Sequence, residues 1–491
     1  MSTWLRLLNS WKLQTRFTLL NHINCIRYSS RISDELLDKA RSIVGDNNFT
    51  ISEAARLLHG RDESYHVPLP PDLILFPTST KQVSEIAKLC TIHKIPMIPF
   101  GTGTGLEGGV GATRGGVTLN MTRMDQILEV STDDLFATVR PGVTRSRLNN
   151  HIRDTGMWFP IDPGADASLC GMVVTSASGT NAVRYGTMKE NVINMEVVLA
   201  NGDVINTSGT DCRAKKSSAG YNLTGLFVGC EGTLGIMTAA TLRLYGIPES
   251  VSSAVCSFPS VYDAISTATM VIQAGIPVAR LEFLDDVMMS ACNKYSGLSY
   301  DETASLFLEF HGSSNSVEEQ AELAKEIAKD NNSGEFQWTT DPEERSRLWK
   351  ARHDALYASK ALLPGCEVYI TDVCVPMSNL PDVIVKSKQA ISESGCIAPI
   401  VGHVGDGNFH CCFLLKPGDN EELKKVREIA MWMGRLAISA RGTCTGEHGV
   451  GRGKIQLVQE QYGEDGISLM RNIKFALDPD NIMNPGKVIT L

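Results

Sequence analysis

The segment VGHVGDGNFHCCFLL, residues 401 to 415, carries His403 and His410 on either side of four consecutive turn formers, Gly405, Asp406, Gly407 and Asn408. With β-rich stretches flanking them, these four predict a tight hairpin in which Val404 faces Phe409 and His403 faces His410. Opposed residues point to one face of a sheet with Cβ atoms about 5 Å apart, close enough for two imidazoles to share a metal ion. A third ligand is available at TGEHGVG, where Glu447 precedes His448. Two histidines and a carboxylate with open positions suit a divalent metal, zinc or manganese. His448 would then be a base, because an imidazole titrates in the useful range. A lone histidine here reads as a polar filler on a solvated hairpin, whereas two in register beside a glycine turn favour the metal; Glu447 taken alone is equally well an acid near a helix or loop terminus.

Such a cluster has to be positioned by the rest of the chain. From PDLILFPTST onward strand and helix signals alternate. Ser79 and Gln82 form a capping box before a helix with the apolar face Val83, Ile86, Ala87 and Cys90. The strand IPMIPF leads into GTGTGLEGG, residues 101 to 109, where Gly103, Gly105 and Gly108 satisfy G-x-G-x-x-G. That spacing marks a Rossmann site only where a helix begins on the glycines. The following GATRGGVTLNMTRMDQI is too rich in glycine and β-branched residues to be that helix, so the Rossmann reading is rejected. Glycines still let successive backbone N–H groups converge on a diphosphate. Two further loops, residues 162 to 186 and 228 to 236, would allow three loops to wrap one dinucleotide, although each alone reads as a surface turn.

After Pro248 the glycine loops stop. Ser260 with Asp263 caps a helix, ARLEFLDD and ASLFLEFHG read as strands, and Ser316 with Glu319 boxes the start of EEQAELAKEIAK. This pattern predicts an antiparallel sheet covered by helices on one side. Asp341 and Pro342 start one long helix bearing Arg345, Arg352 and Lys360, whose default place is a solvated face. The strand CEVYITDVCVP follows it.

A chain of 491 residues is long enough for more than one domain. Its 46 basic and 55 acidic residues give a net charge of −9, which argues against a nucleic-acid partner and suits a basic redox partner. Thirteen cysteines without a C-x-x-C spacing point to reduced thiols in an intracellular compartment. Residues 1–30 contain Arg6, Lys12, Arg16 and Arg27 and no acid, with Trp4, Leu7, Leu8 and Trp11 on one helical face. They read as a mitochondrial presequence, the alternative being a disordered basic tail. No later apolar run reaches the roughly 18 residues of a membrane helix.

The order FPTSTKQVSEIAKLC, PFGTGTGLEGG, DPGADASLCGMVVTSASG and GCEGTLGI resembles the FAD-binding domain of the vanillyl-alcohol oxidase and p-cresol methylhydroxylase type. The later VGHVGDGNFH, TGEHGVG and ALDPDNIMNPGK resemble its D-2-hydroxyacid dehydrogenase branch. The resemblance covers nearly everything after the presequence. It implies an α+β chain: a two-part FAD domain over 60–247, a ferredoxin-like antiparallel-sheet substrate domain over 248–440, and a segment over 441–491 that returns to the FAD domain and completes the site. Carried over by position, the FAD diphosphate lies on Gly101, Thr102, Gly103, Thr104, Gly105, Leu106 and Glu107. The flavin side takes Pro163, Gly164, Gly171, Ser176 and Gly179, and Glu231, Gly232, Ile236 and Asn484 also approach the cofactor. Relatives read T-x-G-G-N where this chain has Cys170-Gly171-Met172, and the first loop lacks the histidine some relatives use for covalent attachment, so the expected FAD is dissociable.

Arg352 matches the substrate-carboxylate arginine of the family, a role suited to a bidentate guanidinium, and Asn408 is expected to help orient that carboxylate. The implied activity is flavin- and metal-dependent oxidation of D-lactate and related small D-2-hydroxy acids to the 2-oxo acid, pyruvate for D-lactate. Hydride would pass to flavin N5, His448 would take the hydroxyl proton, His403, His410 and Glu447 would hold the metal, and cytochrome c would accept the electrons. Oxidation of D-2-hydroxyglutarate is the nearer alternative, disfavoured by Ile370 where that branch has a lysine. A metal-dependent hydrolase is the alternative from another class.

Overall fold

The computed structural model describes residues 32–491; the basic segment read as a presequence lies outside the described residues. The first sheet is built from short apolar strands. Leu73–Leu75 and Met97–Phe100 lie parallel to Val117–Asn120 between them, and Phe49–Thr50 adds antiparallel at the edge. The crossover between the parallel strands is the helix Thr80–His93. Ser79 caps it by accepting from the Gln82 amide, while the Gln82 side chain reaches back to Thr78 instead of Ser79, so the box is one residue wider than the spacing implied. Val83, Ile86, Ala87 and Cys90 are buried in a row against the sheet, which is what fixes the helix there.

Strand–helix alternation then gives way to a second, antiparallel sheet ordered Ile127–Ser131, Phe136–Val139, Ile236–Arg243, Val192–Val198 and Val204–Asn206. The helix Leu169–Thr175, in the second glycine-rich loop, packs on it through Leu169, Met172 and Val173. Arg140 and Glu196, 2.8 Å apart, join this sheet to Thr80 at the start of the first crossover helix.

The third sheet is antiparallel and runs Phe336–Thr339, Ser250–Phe258, Ala304–Gly312, Val278–Leu284, Ile400–Gly402, Asn408–Leu415, Glu367–Ile370, with Val373–Cys374 also on the penultimate strand. Its strands alternate with period two. Ala254, Cys256, Phe258, Leu306, Leu308, Phe310, Phe409, Cys411 and Phe413 enter one core with the helices Val261–Gln273, Ser314–Asp330, Leu380–Ser394 and Asn420–Ser439. The opposite face is not bare, as a one-sided sheet would leave it. Val255, Phe307, Cys412 and Leu414 meet the helices Asp286–Ser296, Pro342–His353 and Ala355–Leu362.

The last two of these replace the single long helix expected from Asp341. The break falls at Asp354, and the small residues Ala355 and Ala358 let the second helix settle into this core. On the uncovered remainder of the same face the alternation delivers charge: Arg280, Glu282, Glu309 and His410 all point toward the first domain. Asp162 of that domain answers them, accepting from Thr180, Asn181, Arg280 and His353. Burial would raise its pKa, but the His353 bond and the Arg280 charge hold it well below the usual carboxylate range.

The C-terminal segment returns to the first domain. The helix Ile455–Leu477 is kinked at Gly463, where φ is 67°. Asp478 ends it by accepting from the amides of Ile482 and Met483 and from Lys474 Nζ. The chain then pairs with the edge of the first sheet, Met97 N–H to Ile482 O at 2.7 Å and Asn484 N–H to Met97 O at 2.8 Å.

Candidate functional site

A cavity of about 390 Å³ lies where the glycine loops meet the charged face of the third sheet, within the size range of small-molecule and cofactor sites. Gly101, Thr102, Gly103, Thr104, Gly105 and Leu106 line it, with Pro163, Gly164, Gly171, Glu231, Gly232 and Asn484. Two of these glycines are there for space: a Cβ on Gly101 would come within 2.6 Å of Ser168 Oγ, and one on Gly232 within 2.4 Å of Pro99 Cγ. Among the described residues, the amides of residues 102–106 donate to no protein acceptor. A run of free N–H groups in a glycine loop fits a diphosphate, so the residues at this end suit FAD.

Four residues expected at the cofactor do not face the cavity. Glu107 is buried with its carboxylate on Lys454 Nζ at 2.7 Å. Ser176 ends the helix Leu169–Thr175 in the left-handed region. Gly179 lies against the backbone of Asp162, so that the following Thr180 and Asn181 can bind that carboxylate. Ile236 is on a strand whose neighbours Gly235 and Met237 line the cavity, so alternation sends its own side chain into the opposite core.

At the other end, the hairpin forms in a different register from the one the turn residues suggested. His410 pairs with Val401 and Cys411 with Ile400, so the turn is Val404–Gly407 and His403 stands opposite Asn408. The offset is two residues, which preserves the face of every side chain. Both imidazoles therefore still converge, as diagonal neighbours with ring centroids 5.5 Å apart. Close packing at Gly407 accounts for the shift: its φ is 88°, and a Cβ there would strike Val375 O at 2.1 Å. Asn408 is thereby drawn into the strand, where Nδ2 donates to Asp372 Oδ1 at 2.8 Å and Val373 O at 2.9 Å. Its place is behind the site, away from the substrate carboxylate it was expected to orient.

Glu447 Oε1 lies 3.0 Å from His403 Nε2 and 3.1 Å from His410 Nε2. Among the described residues, buried Glu447 Oε2 and His448 Nδ1 meet no hydrogen-bond partner, and the His448 ring stacks on His410 at 4.7 Å. His403 Nδ1 is 2.7 Å from Glu282 Oε1; a proton held there leaves Nε2 free for a ligand. Ligand atoms of His403, His410 and Glu447 lie within 4.8 Å of one another, as do those of Asp372, His410 and His448. The second group is already satisfied, because Asp372 Oδ2 accepts the amides of Gly446, Glu447 and His448 at 2.8–2.9 Å and Thr445 Oγ1 at 2.7 Å. The first group, with its orphaned carboxylate oxygen, is the one that fits a divalent cation.

The electrostatics follow from this burial. Desolvation alone would lower the pKa of His403, but Glu282 and Glu447 raise it well above the ordinary imidazole value. Desolvation would raise Glu447, yet His403 and His410 hold it well below the carboxylate range. His448 is pushed by burial, against Asp372 and Glu447 and with His410 and Lys454 adding to the effect, down to about 4, which is below the range expected from its residue type and keeps the ring neutral. Arg352 lines the cavity, but its Nε and Nη2 grip Glu282 Oε2 at 2.7 and 2.6 Å, leaving Nη1 as the nitrogen unengaged among the described residues. Lys360 and Ile370 also line the cavity, so Lys360 is not simply on a solvated face.

Sequence reasoning missed Asp372, Glu282, Asp162, Lys454 and Ser168. A signal existed for two of them. Arg280 and Glu282 alternate with Leu281 and Phe283 in ARLEFLDD, which marks a charged face on a buried strand, and Asp372 ends the strand CEVYITD.

Residues 71–208 match the family described as FAD binding domain, and residues 247–488 match FAD linked oxidases, C-terminal domain. The chain is 56% identical over 467 residues to a probable mitochondrial D-lactate dehydrogenase of Danio rerio, covering 95% of this chain and 94% of that protein. It is 41% identical over 461 residues to the mitochondrial D-lactate dehydrogenase [cytochrome] of Arabidopsis thaliana, covering 94% and 81%. The structure of p-cresol methylhydroxylase with substrate bound shares the fold, with a TM-score of 0.76 over 92% of this chain and 96% of that chain at 19% identity.

Proposed function

Because this chain belongs to the FAD-linked oxidase family, among its mitochondrial D-lactate dehydrogenases, we propose that it oxidises D-lactate and related small D-2-hydroxy acids to the 2-oxo acid with the help of a divalent metal. One observation carries the reading: the glycine-loop cavity and the His403–His410–Glu447 cluster open into the same space. The glycine loops would hold FAD, which would supply a two-electron acceptor for the C2 hydrogen, and His403, His410 and Glu447 would hold a zinc or manganese ion, which would supply positive charge at the substrate hydroxyl.

The chain's own residues do the rest. The amides of residues 102–106 hold the diphosphate. Arg352 offers Nη1 to the substrate carboxylate while Glu282 fixes its plane. His448, with Nδ1 unpartnered, accepts the hydroxyl proton. Cytochrome c, a basic protein, is the proposed electron acceptor for a chain of net charge −9, and residues 1–30 are the proposed mitochondrial address.

The purified chain is expected to be yellow and to bleach anaerobically with D-lactate, yielding pyruvate. A colourless protein whose bound metal supports hydrolysis would instead establish the hydrolase reading. Ile370→Lys is expected to raise the kcat/KM for D-2-hydroxyglutarate relative to D-lactate by about tenfold, equivalent to 1.36 kcal/mol, by pairing the distal carboxylate. A steady-state comparison that finds the ratio unchanged removes Ile370 as a selectivity determinant.

A further inference from the structure

The loop that carries Glu447 and His448 is gripped from both domains. On the substrate side, Asp372 takes the amides of Gly446, Glu447 and His448. On the other side the grip comes from the two glycine loops that form the cofactor end of the cavity. Glu231, next to Gly232, accepts the amides of Val450 and Gly451 at 2.6 and 2.8 Å, one on each carboxylate oxygen. Glu107, next to Leu106, accepts the Arg452 amide on its carbonyl at 2.8 Å and Lys454 Nζ on its carboxylate at 2.7 Å. Lys454 Nζ in turn lies 3.3 Å from Thr445 Oγ1 and 3.6 Å from Asp372 Oδ2.

These contacts are tight. A Cβ on Gly451 would come within 2.1 Å of Glu107 O, and one on Gly453 within 2.5 Å of Glu107 Oε2. Glu107, Glu231, Asp372 and Lys454 are all buried. The Glu231 backbone is held apart from its carboxylate, since its amide bonds Val174 O at 2.8 Å and its carbonyl accepts from Asn484 Nδ2 at 2.8 Å.

We propose that Glu107 and Glu231 are positioning residues that make the FAD site and the cation site one cooperative unit. The inference rests on the cation reading given above. Ordering either glycine loop around FAD sets the glutamate that the loop carries, and that glutamate sets the backbone from Val450 to Lys454, three to seven residues from Glu447. FAD that orders those loops thus holds the third cation ligand more firmly in place, and by reciprocity a bound cation holds FAD more tightly. Neither carboxylate touches a cation ligand directly.

The test uses the full chain carrying FAD, with manganese bound or after removal of metal by a chelator. Flavin release on dilution is followed by its fluorescence, and metal content by elemental analysis. The expected result is an FAD dissociation constant about tenfold weaker in the metal-free protein, within the usual range of coupling between sites. In Glu107→Gln, and independently in Glu231→Gln, the two states are expected to release FAD alike. Glu107 lies outside the cavity, so its variant reports on coupling without altering a cofactor contact; a thermal melt of each variant checks that it is folded. Wild-type protein that binds manganese yet retains FAD equally with and without it overturns the coupling alone. Wild-type protein that takes up neither manganese nor zinc overturns the coupling and the cation reading together, and the metal analysis tells the two results apart.

Discussion

Glu447→Gln is expected to lower kcat by roughly 1,000-fold, about 4 kcal/mol of barrier, while the protein remains folded and yellow at assay concentrations. The carboxylate is the one acid that meets both imidazoles, 3.0 Å from His403 and 3.1 Å from His410. An amide of the same shape keeps one weak acceptor and adds a donor that repels a cation. Metal content should therefore fall with kcat, whereas the flavin spectrum should change little, because the diphosphate loop lies at the other end of the cavity. Parallel measurement of bound metal, visible absorption and turnover checks this. A variant within threefold of wild-type kcat would remove the cation cluster from the reaction.

Asp372→Asn should be nearly as damaging, through position instead of chemistry. One carboxylate oxygen of Asp372 receives three consecutive amides and a hydroxyl, and the other receives Asn408 Nδ2. An asparagine turns one of these acceptors into a donor, so buried N–H groups lose their partner at about 1–3 kcal/mol each, and Lys454 loses a neighbouring charge. The expected cost is about 3–5 kcal/mol of stability, with a kcat roughly 100-fold lower as Glu447 and His448 drift from the histidine pair. Denaturant unfolding together with steady-state kinetics separates the two effects. Unchanged stability would mean that the loop holds its shape without the carboxylate.

These two residues also mark how far the sequence could be read. Glu447 stands in a motif whose residue types announce their chemistry. Asp372 ends an ordinary strand, and only the fold discloses the loop it anchors. The hairpin shows the same division: its histidines, their common face and their shared purpose were legible, since period two survives a register error of two. The register itself depended on Gly407 packing against Val375, a residue some thirty positions away. Likewise, the glycine loops were recognisable by composition, but alternation on a strand decided that Gly235 and Met237 line the cavity while Ile236 does not.

By itself, then, the sequence determined the order of the elements, the three glycine loops, the apolar faces and the identity of the groups able to bind a metal or a diphosphate, because these depend on local spacing and composition. Tertiary structure decided which carboxylates serve which partners: Glu282 on Arg352 and His403, Asp372 on the loop amides, Glu107 and Glu231 across the domain boundary. A buried charge is stable only beside its counterpart, and counterparts as far apart in the chain as Glu107 and Lys454 meet only once the sheets have packed.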